Sequence, residues 1–278
     1  MSLTTDALDF LSLVLVAFVP ALIYLSWIRR TERYQQEAWG PVLGAFVYGA
    51  IFATLTAAVI EGIIVALGTS VSQKYPGPEF IFLNSSSSYG ALFLVLVVAP
   101  FVEEALKASG VVANRRRLRM IADGPVFGAS VGLGFGFFET FLYGIGAWLA
   151  GGLAAGIALI LIRSVSSVVL HGSSTGMFGY GYARSKFGVP GAGSGSYYLV
   201  AVGMHASFNA IASLTILLAL LGVTGFAIGL ASIIALLAAI AFAFWAIEHV
   251  RDVIQSSDYP SLIKGSARYQ PRGPPGGR

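Results

Sequence analysis

The sequence contains no cysteine and few charged residues. Without cysteine the chain forms no disulfide bonds, binds no metal through thiolates and has no cysteine nucleophile. Only 11% of the 278 residues are charged, whereas soluble domains average about 25%. Hydrophobic residues make up 56% of the chain and the mean hydropathy is +0.79. This composition predicts an integral membrane protein in contact with the lipid bilayer, with no room for a large soluble domain.

Seven apolar segments indicate an all-α fold, a polytopic transmembrane helical bundle of about seven or eight spans. The segments are residues 8–28, 39–67, 89–113, 125–148, 158–183, 197–221 and 223–247. Residues 149–157 form a Gly/Ala-rich connection that could extend either neighbour. We therefore predict a single transmembrane domain at 1–253, followed by a flexible, basic, Pro/Gly-rich tail at 254–278.

Basic residues accumulate on alternate loops of this arrangement. One side receives Arg29, Arg30, Arg33, Arg115, Arg116, Arg117, Arg119, Arg184, Lys186, Arg251, Lys264, Arg268, Arg272 and Arg278. The other side receives only Lys74. Because basic loops stay cytoplasmic, the pattern predicts an external N-terminus and a cytoplasmic C-terminus. This distribution accounts for the net charge of +4, so no nucleic-acid partner is implied.

Spans three to six carry ionisable side chains well inside their apolar segments. These are Glu103, Glu104, Lys107, Glu139, His171 and His205. A charge at the bilayer centre costs at least about 2.5–3.5 kcal/mol, so each group needs a partner or a function. Counted at about 1.5 Å per residue from the predicted cytoplasmic ends, they lie within roughly 9 Å of one membrane level. We therefore predict that four helices form one hydrated active or transport site.

The spacing within span three predicts local contacts. Glu103 and Lys107 are four residues apart and share a helix face, so they can form an ion pair. Glu104 lies about 100° round the helix from Glu103, so both can border one cavity. Pro100 removes a backbone hydrogen bond one turn earlier, which predicts a free carbonyl or a kink beside the site.

Spans four and six repeat the four-residue spacing. Tyr143 follows Glu139 by one turn and is expected to hydrogen-bond its carboxylate. Asn209 follows His205 by one turn, which places an imidazole and an amide on the same stripe of the helix.

Two further charged residues, Glu61 and Arg163, lie about one to two turns from the predicted outer ends of spans two and five. We expect them to form a structural pair or to reach the membrane interface, without a chemical role.

The residue types of the cluster suit hydrolysis. Glutamate and histidine without thiols favour a divalent metal, of which Zn²⁺ is the usual choice. Either Zn²⁺ or a carboxylate–imidazole pair can activate water. Asn209, or a histidine that is not a metal ligand, can stabilise an oxyanion. Lys107 can keep Glu103 or Glu104 ionised in the apolar interior.

Four motifs occur in order on these four spans. Residues 103–107 read E-E-x-x-K, residues 138–143 read F-E-x-x-x-Y, the third motif centres on His171, and residues 205–209 read H-x-x-x-N. On these motifs the chain resembles the PrsW family of intramembrane proteases, within the superfamily of CAAX prenyl proteases and bacteriocin-processing enzymes (CPBP). The resemblance implies a CPBP-like four-helix catalytic core at about 89–221. The second motif lacks the histidine of the CAAX branch, which disfavours prenylated substrates.

The resemblance implies hydrolysis of a peptide bond in a membrane-tethered protein or peptide. Bacterial members of the family make the first cut in an anti-sigma factor, on the extracytoplasmic side, so the resemblance implies the cell membrane of a prokaryote. We hypothesise that Glu103 is the general base and that Glu104, His171, His205, Asn209 and Lys107 are the other catalytic residues. The order of Glu103 and Glu104 in the motif is the basis for their division of roles. Zn²⁺ or another divalent metal would then be bound by Glu104, Glu139, His171 and His205. A metal-free mechanism through glutamate and histidine stays open.

Two other functions remain open at this stage. Glutamate and histidine at the membrane midplane could relay protons or bind cations in a coupled transporter, but such transporters often carry inverted repeats, and none is evident here. The third reading is a non-catalytic membrane scaffold with a degenerate protease core, which the complete motif set disfavours. The sequence indicates neither the substrate nor the oligomeric state.

Overall fold

The computed structural model describes residues 3–34 and 36–258, and the regular elements in that part of the chain are all helical. The helices are α1 (Leu3–Arg29), α2 (Trp39–Val47), α3 (Thr54–Lys74), α4 (Ser88–Phe93), α5 (Ala99–Ala113), α6 (Asp123–Gly151), α7 (Leu153–Ser164), α8 (Ser167–Lys186), α9 (Ser194–Ala212), α10 (Leu214–Leu220) and α11 (Gly225–Ser257). Two π-helical segments, Tyr48–Ala53 and Leu94–Val98, and one 3₁₀ helix, Pro78–Leu83, complete the list. The predicted all-α class is confirmed.

Six of the described helical stretches are long and apolar enough to cross a membrane. A seventh is present if α9 and α10, which meet at a bend of 58°, form one broken span. Each π-helical segment joins its neighbours into a continuous span, Trp39–Lys74 and Ser88–Ala113. The arrangement agrees with the predicted bundle of seven spans. The helix α11 continues to Ser257, and residues 259–278 of the predicted tail lie outside the described residues.

Several spans are longer than their apolar segments. The second reaches Lys74, seven residues beyond the predicted end at residue 67. The added turns contain Ser70, whose hydroxyl donates to the carbonyl oxygen of Ala66 one turn earlier. A serine bonded in this way hides its polar group within the helix, so a polar stretch does not end it.

Helix α6 lies at the centre of the bundle and is its most buried span. Its longest contact is with α8, where glycines recur every fourth residue. A Cβ atom added to Gly128 would overlap the carbonyl oxygen of Thr175, and one added to Gly132 would overlap that of His171. Small residues let two helix backbones approach closely. This glycine stripe therefore sets the position of α8 and of the histidine that it carries.

Loops that contain six of the ten arginines in the described chain meet at one end of the bundle. Arg119 lies 3.9 Å from the carboxylate of Glu37, and the ammonium of Lys186 donates to the carbonyl oxygen of Leu118 at 2.7 Å. We call this the arginine-rich end, and it comprises the loops at 30–38, 114–122 and 187–193. The arginine-poor end carries residues 75–87 and 221–224.

Candidate active site

Four helices bring the predicted ionisable cluster together in the interior of the bundle. Helix α5 supplies Glu103, Glu104 and Lys107, while α6, α8 and α9 supply Glu139, His171 and His205. All except Glu139 are buried, and Lys107 has no exposed surface. Their contacts form one connected network, so the prediction that four spans meet at one level is confirmed by the distances between their side chains.

Lys107 is the positive centre of this network. Its Nζ lies 2.7 Å from Oε1 of Glu104 and 3.5 Å from Oε2 of Glu103, which confirms the predicted ion pair with Glu103. The same ammonium lies 2.8 Å from Nδ1 of His171 and 4.4 Å from the centre of the Phe135 ring. An ammonium group only donates hydrogen bonds. The Nδ1 atom of His171 must therefore be the acceptor, and the ring proton lies on Nε2.

The Nε2–H of His171 points at Glu139. Its distance to Oε2 of that carboxylate is 3.0 Å. The guanidinium of Arg163 binds the same oxygen at 2.6 Å and also donates to Ser167 at 3.0 Å. The ring of Tyr143 lies 4.0 Å from the guanidinium carbon. Glu139 is thus held between a cation and an imidazole N–H, in the manner of a carboxylate that orients a histidine.

These contacts correct two expectations. Arg163 pairs with Glu139 instead of Glu61, because α7 ends one turn before Ser167 and places the guanidinium over α6. Among the described residues Tyr143 makes no hydrogen bond to Glu139; its ring packs against Arg163, which occupies the carboxylate. A conjugated ring beneath a guanidinium gives a favourable cation–π contact, so Tyr143 supports the ion pair indirectly.

Glu104 is saturated with donors. Its carboxylate accepts hydrogen bonds from Ser174 at 2.9 Å and Thr175 at 3.2 Å, in addition to the bond from Lys107. It also faces Nδ1 of His205 at 3.1 Å. A carboxylate accepts only, so Nδ1 of His205 carries the proton and Nε2 carries the lone pair. Glu104 therefore fixes the ring of His205 and has little capacity left for another ligand.

Glu103 is the carboxylate that remains available. Its Oε2 atom is buried and has no hydrogen-bond partner in the described part of the chain. It lies 3.9 Å from Nδ1 of His171 and 3.9 Å from Nε2 of His205. Both nitrogen atoms are acceptors by the argument above, and Nδ1 of His171 already accepts the hydrogen bond of Lys107. Oε2 of Glu103 and Nε2 of His205 are the acceptors that a water molecule or a further cation could contact.

The donor set fits a divalent metal. One ligand atom each from Glu103, His171 and His205 lies within 4.8 Å of the others. Each histidine donates its second ring N–H to a carboxylate, His171 to Glu139 and His205 to Glu104. Metal-binding histidines almost always have such a partner, which fixes the ring and raises its basicity.

The arrangement differs from the metal ligands predicted from the sequence. Glu139 accepts from Nε2 of His171, and Glu104 faces Nδ1 of His205. These two carboxylates therefore contact the ring nitrogen atoms that point away from Glu103. Glu103, predicted as the base, is the carboxylate grouped with both histidines. The predicted residues do lie together. Whether a glutamate is placed to bind a metal or to orient a histidine depends on which ring nitrogen its carboxylate faces.

Asn209 is positioned by the irregular backbone of the third span. Its Nδ2 donates to the carbonyl oxygen of Val95 at 2.8 Å. Val95 lies in the π-helical segment Leu94–Val98, five residues before Pro100. In a π-helix that carbonyl bonds to the N–H five residues later, but proline has none. The free carbonyl predicted beside Pro100 is therefore present, and Asn209 satisfies it.

A cavity of about 240 Å³ reaches the cluster. Its lining contains Glu61, Leu94, Val95, Ala99, Glu103, Glu139, Tyr143, Arg163, Ser167, His171, His205, Phe208, Asn209, Ala212 and Ser213. On α5, α6, α8 and α9, these residues run from the cluster toward the arginine-poor end. Lys107 and Glu104 are absent from the lining and close the cavity on the arginine-rich side. The cavity thus extends from the cluster toward the arginine-poor end, as far as the described residues form it.

Sequence reasoning gave Glu61 and Arg163 structural roles, yet both line this cavity. The signal for Arg163 was available, because it precedes Ser167 by one turn on the same span as His171. The position of Glu61 was misjudged because the second span was ended too early. Helix α3 continues to Lys74, which puts Glu61 about 20 Å from the end of the helix at about 1.5 Å per residue.

Comparison with known proteins agrees with this geometry. A protein-family model described as "PrsW family intramembrane metalloprotease" matches residues 37–246, which extends the resemblance beyond the four motif-bearing spans. The curated "Protease PrsW" of Shouchella clausii is 27% identical over 178 residues, covering 63% of this chain and 71% of the relative. The "Protease PrsW" of Clostridioides difficile is 27% identical over 181 residues, covering 64% and 67%. No solved structure matches significantly. The chain therefore belongs to the PrsW family of intramembrane proteases.

Proposed function

We propose that this protease cleaves a membrane-tethered protein or peptide, with water activated by Glu103 at the inner end of the cavity. The observation that carries this proposal is the Oε2 atom of Glu103, which accepts no hydrogen bond in the described chain and lies 3.9 Å from Nε2 of His205, the ring nitrogen with a lone pair. A water molecule placed there can donate one hydrogen to the carboxylate and the other to an imidazole. Both contacts increase the nucleophilicity of the water oxygen.

In the proposed reaction Glu103 takes a proton from water as the oxygen attacks the scissile carbonyl carbon. The C–N bond then breaks, and the same proton passes from Glu103 to the leaving amine. Asn209 has one N–H bonded to Val95 and a second N–H for the oxyanion. Lys107 balances the negative charge of Glu103 and Glu104 throughout.

We propose further that Glu103, His171 and His205 hold Zn²⁺ or another divalent metal, which would polarise the water and the carbonyl oxygen when bound. The support is the convergence of ligand atoms from these three residues and the carboxylate partner of each histidine. Coordination through Nδ1 of His171 would require Lys107 to give up its hydrogen bond to that nitrogen. Metal analysis of the purified protein, before and after dialysis against a chelator, tests this assignment. We expect about one equivalent per chain in the wild type and loss of it in His205→Asn. A metal-free wild type with full activity would favour the glutamate–histidine mechanism.

We propose that the cavity opens to the extracytoplasmic side. The arginine-rich end would then be cytoplasmic by the positive-inside rule, with the N-terminus outside and the C-terminus inside, in the cell membrane. A cluster near the membrane midplane could then serve a cut on the outer side, and the lining residues that extend from the cluster toward the arginine-poor end support this. The catalytic core would comprise residues 89–221 and the transmembrane domain would end near residue 253.

The test uses the purified protein in liposomes with a single-span model substrate that carries tags at both ends. We expect the wild type to release two tagged fragments whose junction is read by mass spectrometry. Glu103→Gln should release none and should retain the uncut substrate during affinity purification. Glu248→Gln is the matched control, because Glu248 pairs with Arg251 on α11 outside the cavity. No fragments from the wild type, together with pH-dependent ion flux, would indicate a transporter instead.

A further inference from the structure

Glu61 is a charged residue of the cavity that the proposed reaction does not use. It lies on α3 and lines the same cavity as Glu103 and Glu139. Its Oε1 atom is shielded from solvent, and the side chain as a whole is half-buried. The carboxylate therefore borders the space through which a substrate reaches Glu103.

The carboxylate of Glu61 has no counter-charge in the described chain. Its Oε1 atom accepts no hydrogen bond, and none of the described ion pairs includes it. The other ionisable groups around the cavity are paired: Glu103 with Lys107, and Glu139 with Arg163. In particular, Arg163 is already bound to Glu139 and Ser167. Among the described residues, Glu61 is thus the cavity carboxylate without a cationic partner.

A carboxylate at this depth is expensive unless it has a partner or a function. The cavity, at about 240 Å³, is smaller than the roughly 300–1,000 Å³ of a typical small-molecule site. A cavity of this size has room for about one long side chain. Lysine and arginine can lay their methylene stems along apolar walls while the charged head meets a carboxylate. The walls here include Leu94, Ala99 and Ala212.

We propose that Glu61 is a specificity-determining residue that binds a lysine or arginine side chain of the substrate, within a few residues of the scissile bond. This inference rests on the proposed function, since it places the scissile bond at Glu103. It narrows the substrate class to membrane-tethered chains with a basic residue beside the cut, on the stretch that enters the cavity. The carboxylate would contribute binding and alignment, with no covalent step of its own.

The experiment uses a series of single-span model substrates that differ only at one position near the cut, which carries lysine, glutamine or glutamate. A charge-assisted hydrogen bond contributes about 1.5–3 kcal/mol, so we expect the wild type to cleave the lysine substrate about 10-fold or more faster than the glutamine one at equal concentration. Glu61→Gln should reduce that ratio to about one. Glu61→Lys should reverse the order and favour the glutamate substrate. Glu248→Gln should keep the wild-type ratio.

The outcomes separate this inference from the function on which it rests. A wild type that cleaves every member of the series at the same rate overturns the role of Glu61 but leaves proteolysis intact. A Glu61→Gln variant that slows the lysine and glutamine substrates equally also overturns it, because the residue would then act on catalysis or folding. A wild type that cleaves no member contradicts the proposed function itself, and the inference falls with it.

Discussion

Arg163 binds the same oxygen of Glu139 that accepts the hydrogen bond of His171, at 2.6 Å and 3.0 Å respectively. The guanidinium therefore influences the position of the imidazole through Oε2 of Glu139, which both groups contact. The break between α7 and α8, at Val165 and Ser166, lets the last turn of α7 lean over α6 so that this contact forms. Arg163 is a positioning residue by this geometry, although it lies outside the four sequence motifs.

We expect Arg163→Gln to lower kcat about 10–100-fold, the usual effect of losing a partner that orients a metal-binding or catalytic histidine. Arg163→Lys should recover part of the loss, since an ammonium can also donate to Glu139 but lacks the planar guanidinium that packs against the ring of Tyr143. Cleavage kinetics at several substrate concentrations measure the effect, and KM should change little. Arg251→Gln, which removes an arginine at the arginine-rich end, is the control. Unchanged kcat in Arg163→Gln would contradict the positioning role.

Lys107 should also contribute strongly to stability. It is fully buried between Glu103 and Glu104, and removing one member of a buried ion pair typically costs about 3–5 kcal/mol, because the remaining charge loses its partner. We expect Lys107→Met to lower the free energy of unfolding by that amount and to abolish cleavage. Thermal unfolding in detergent measures the stability change.

The comparison for Lys107→Met is Lys74→Met, since Lys74 is exposed at the end of α3. The second substitution should shift the melting temperature little. Equal melting temperatures for the two variants would mean that the carboxylates of α5 are balanced by something other than Lys107.

The close packing of α6 against α8 predicts a sharp contrast between two glycines of the same helix. A Cβ at position 132 would overlap the carbonyl oxygen of His171, whereas a Cβ at position 146 meets nothing within 4 Å. We expect Gly132→Ala to separate the helices, displace His171 and lower both cleavage and melting temperature. Gly146→Ala should leave cleavage unchanged and stabilise the helix by about 0.5–1 kcal/mol. If both variants behaved alike, close backbone approach would not be what positions His171.

The sequence predicts which residues form the site better than it predicts which side chain contacts which within it. Charged residues are rare in the spans, so the cost of burying them made Glu103, Lys107 and His171 conspicuous, and four-residue spacing predicted the Glu103–Lys107 pair that the structure contains. Which nitrogen of a histidine faces which carboxylate depends on the rotation and tilt of neighbouring helices, and no linear pattern encodes that.

The two charged residues misassigned from the sequence show a second limit. Arg163 is directed by a helix break at Ser166, whose backbone angles of −126° and −79° leave the helical region. No proline marks that break, so a continuous apolar span was the natural expectation. The predicted apolar segment ends at residue 67, whereas helix α3 continues to Lys74, so Glu61 lies farther from the end of its span than the sequence predicts.

The last prediction concerns Glu32, which lies in the loop between α1 and α2 at the arginine-rich end. Its side chain is fully buried; one carboxylate oxygen accepts the N–H of Glu37 at 2.8 Å, and the other has no partner among the described residues. Burial, with Asp123, Glu37 and Asp258 nearby, raises the pKa of Glu32 from 4.5 to about 8. The folded protein therefore binds a proton here that the unfolded chain releases between these two values.

Stability must fall as pH rises through this window, because the folded state holds the extra proton. We expect the free energy of unfolding to decrease by a few kcal/mol between about pH 5 and pH 8, since each pKa unit corresponds to about 1.4 kcal/mol. Glu32→Gln keeps the shape of the protonated group without the ionisation, so its stability should be less dependent on pH and higher than that of the wild type at pH 8. Chemical unfolding in detergent across this range measures both slopes. Parallel slopes for the wild type and the variant would show that Glu32 is already ionised in the folded protein near neutral pH.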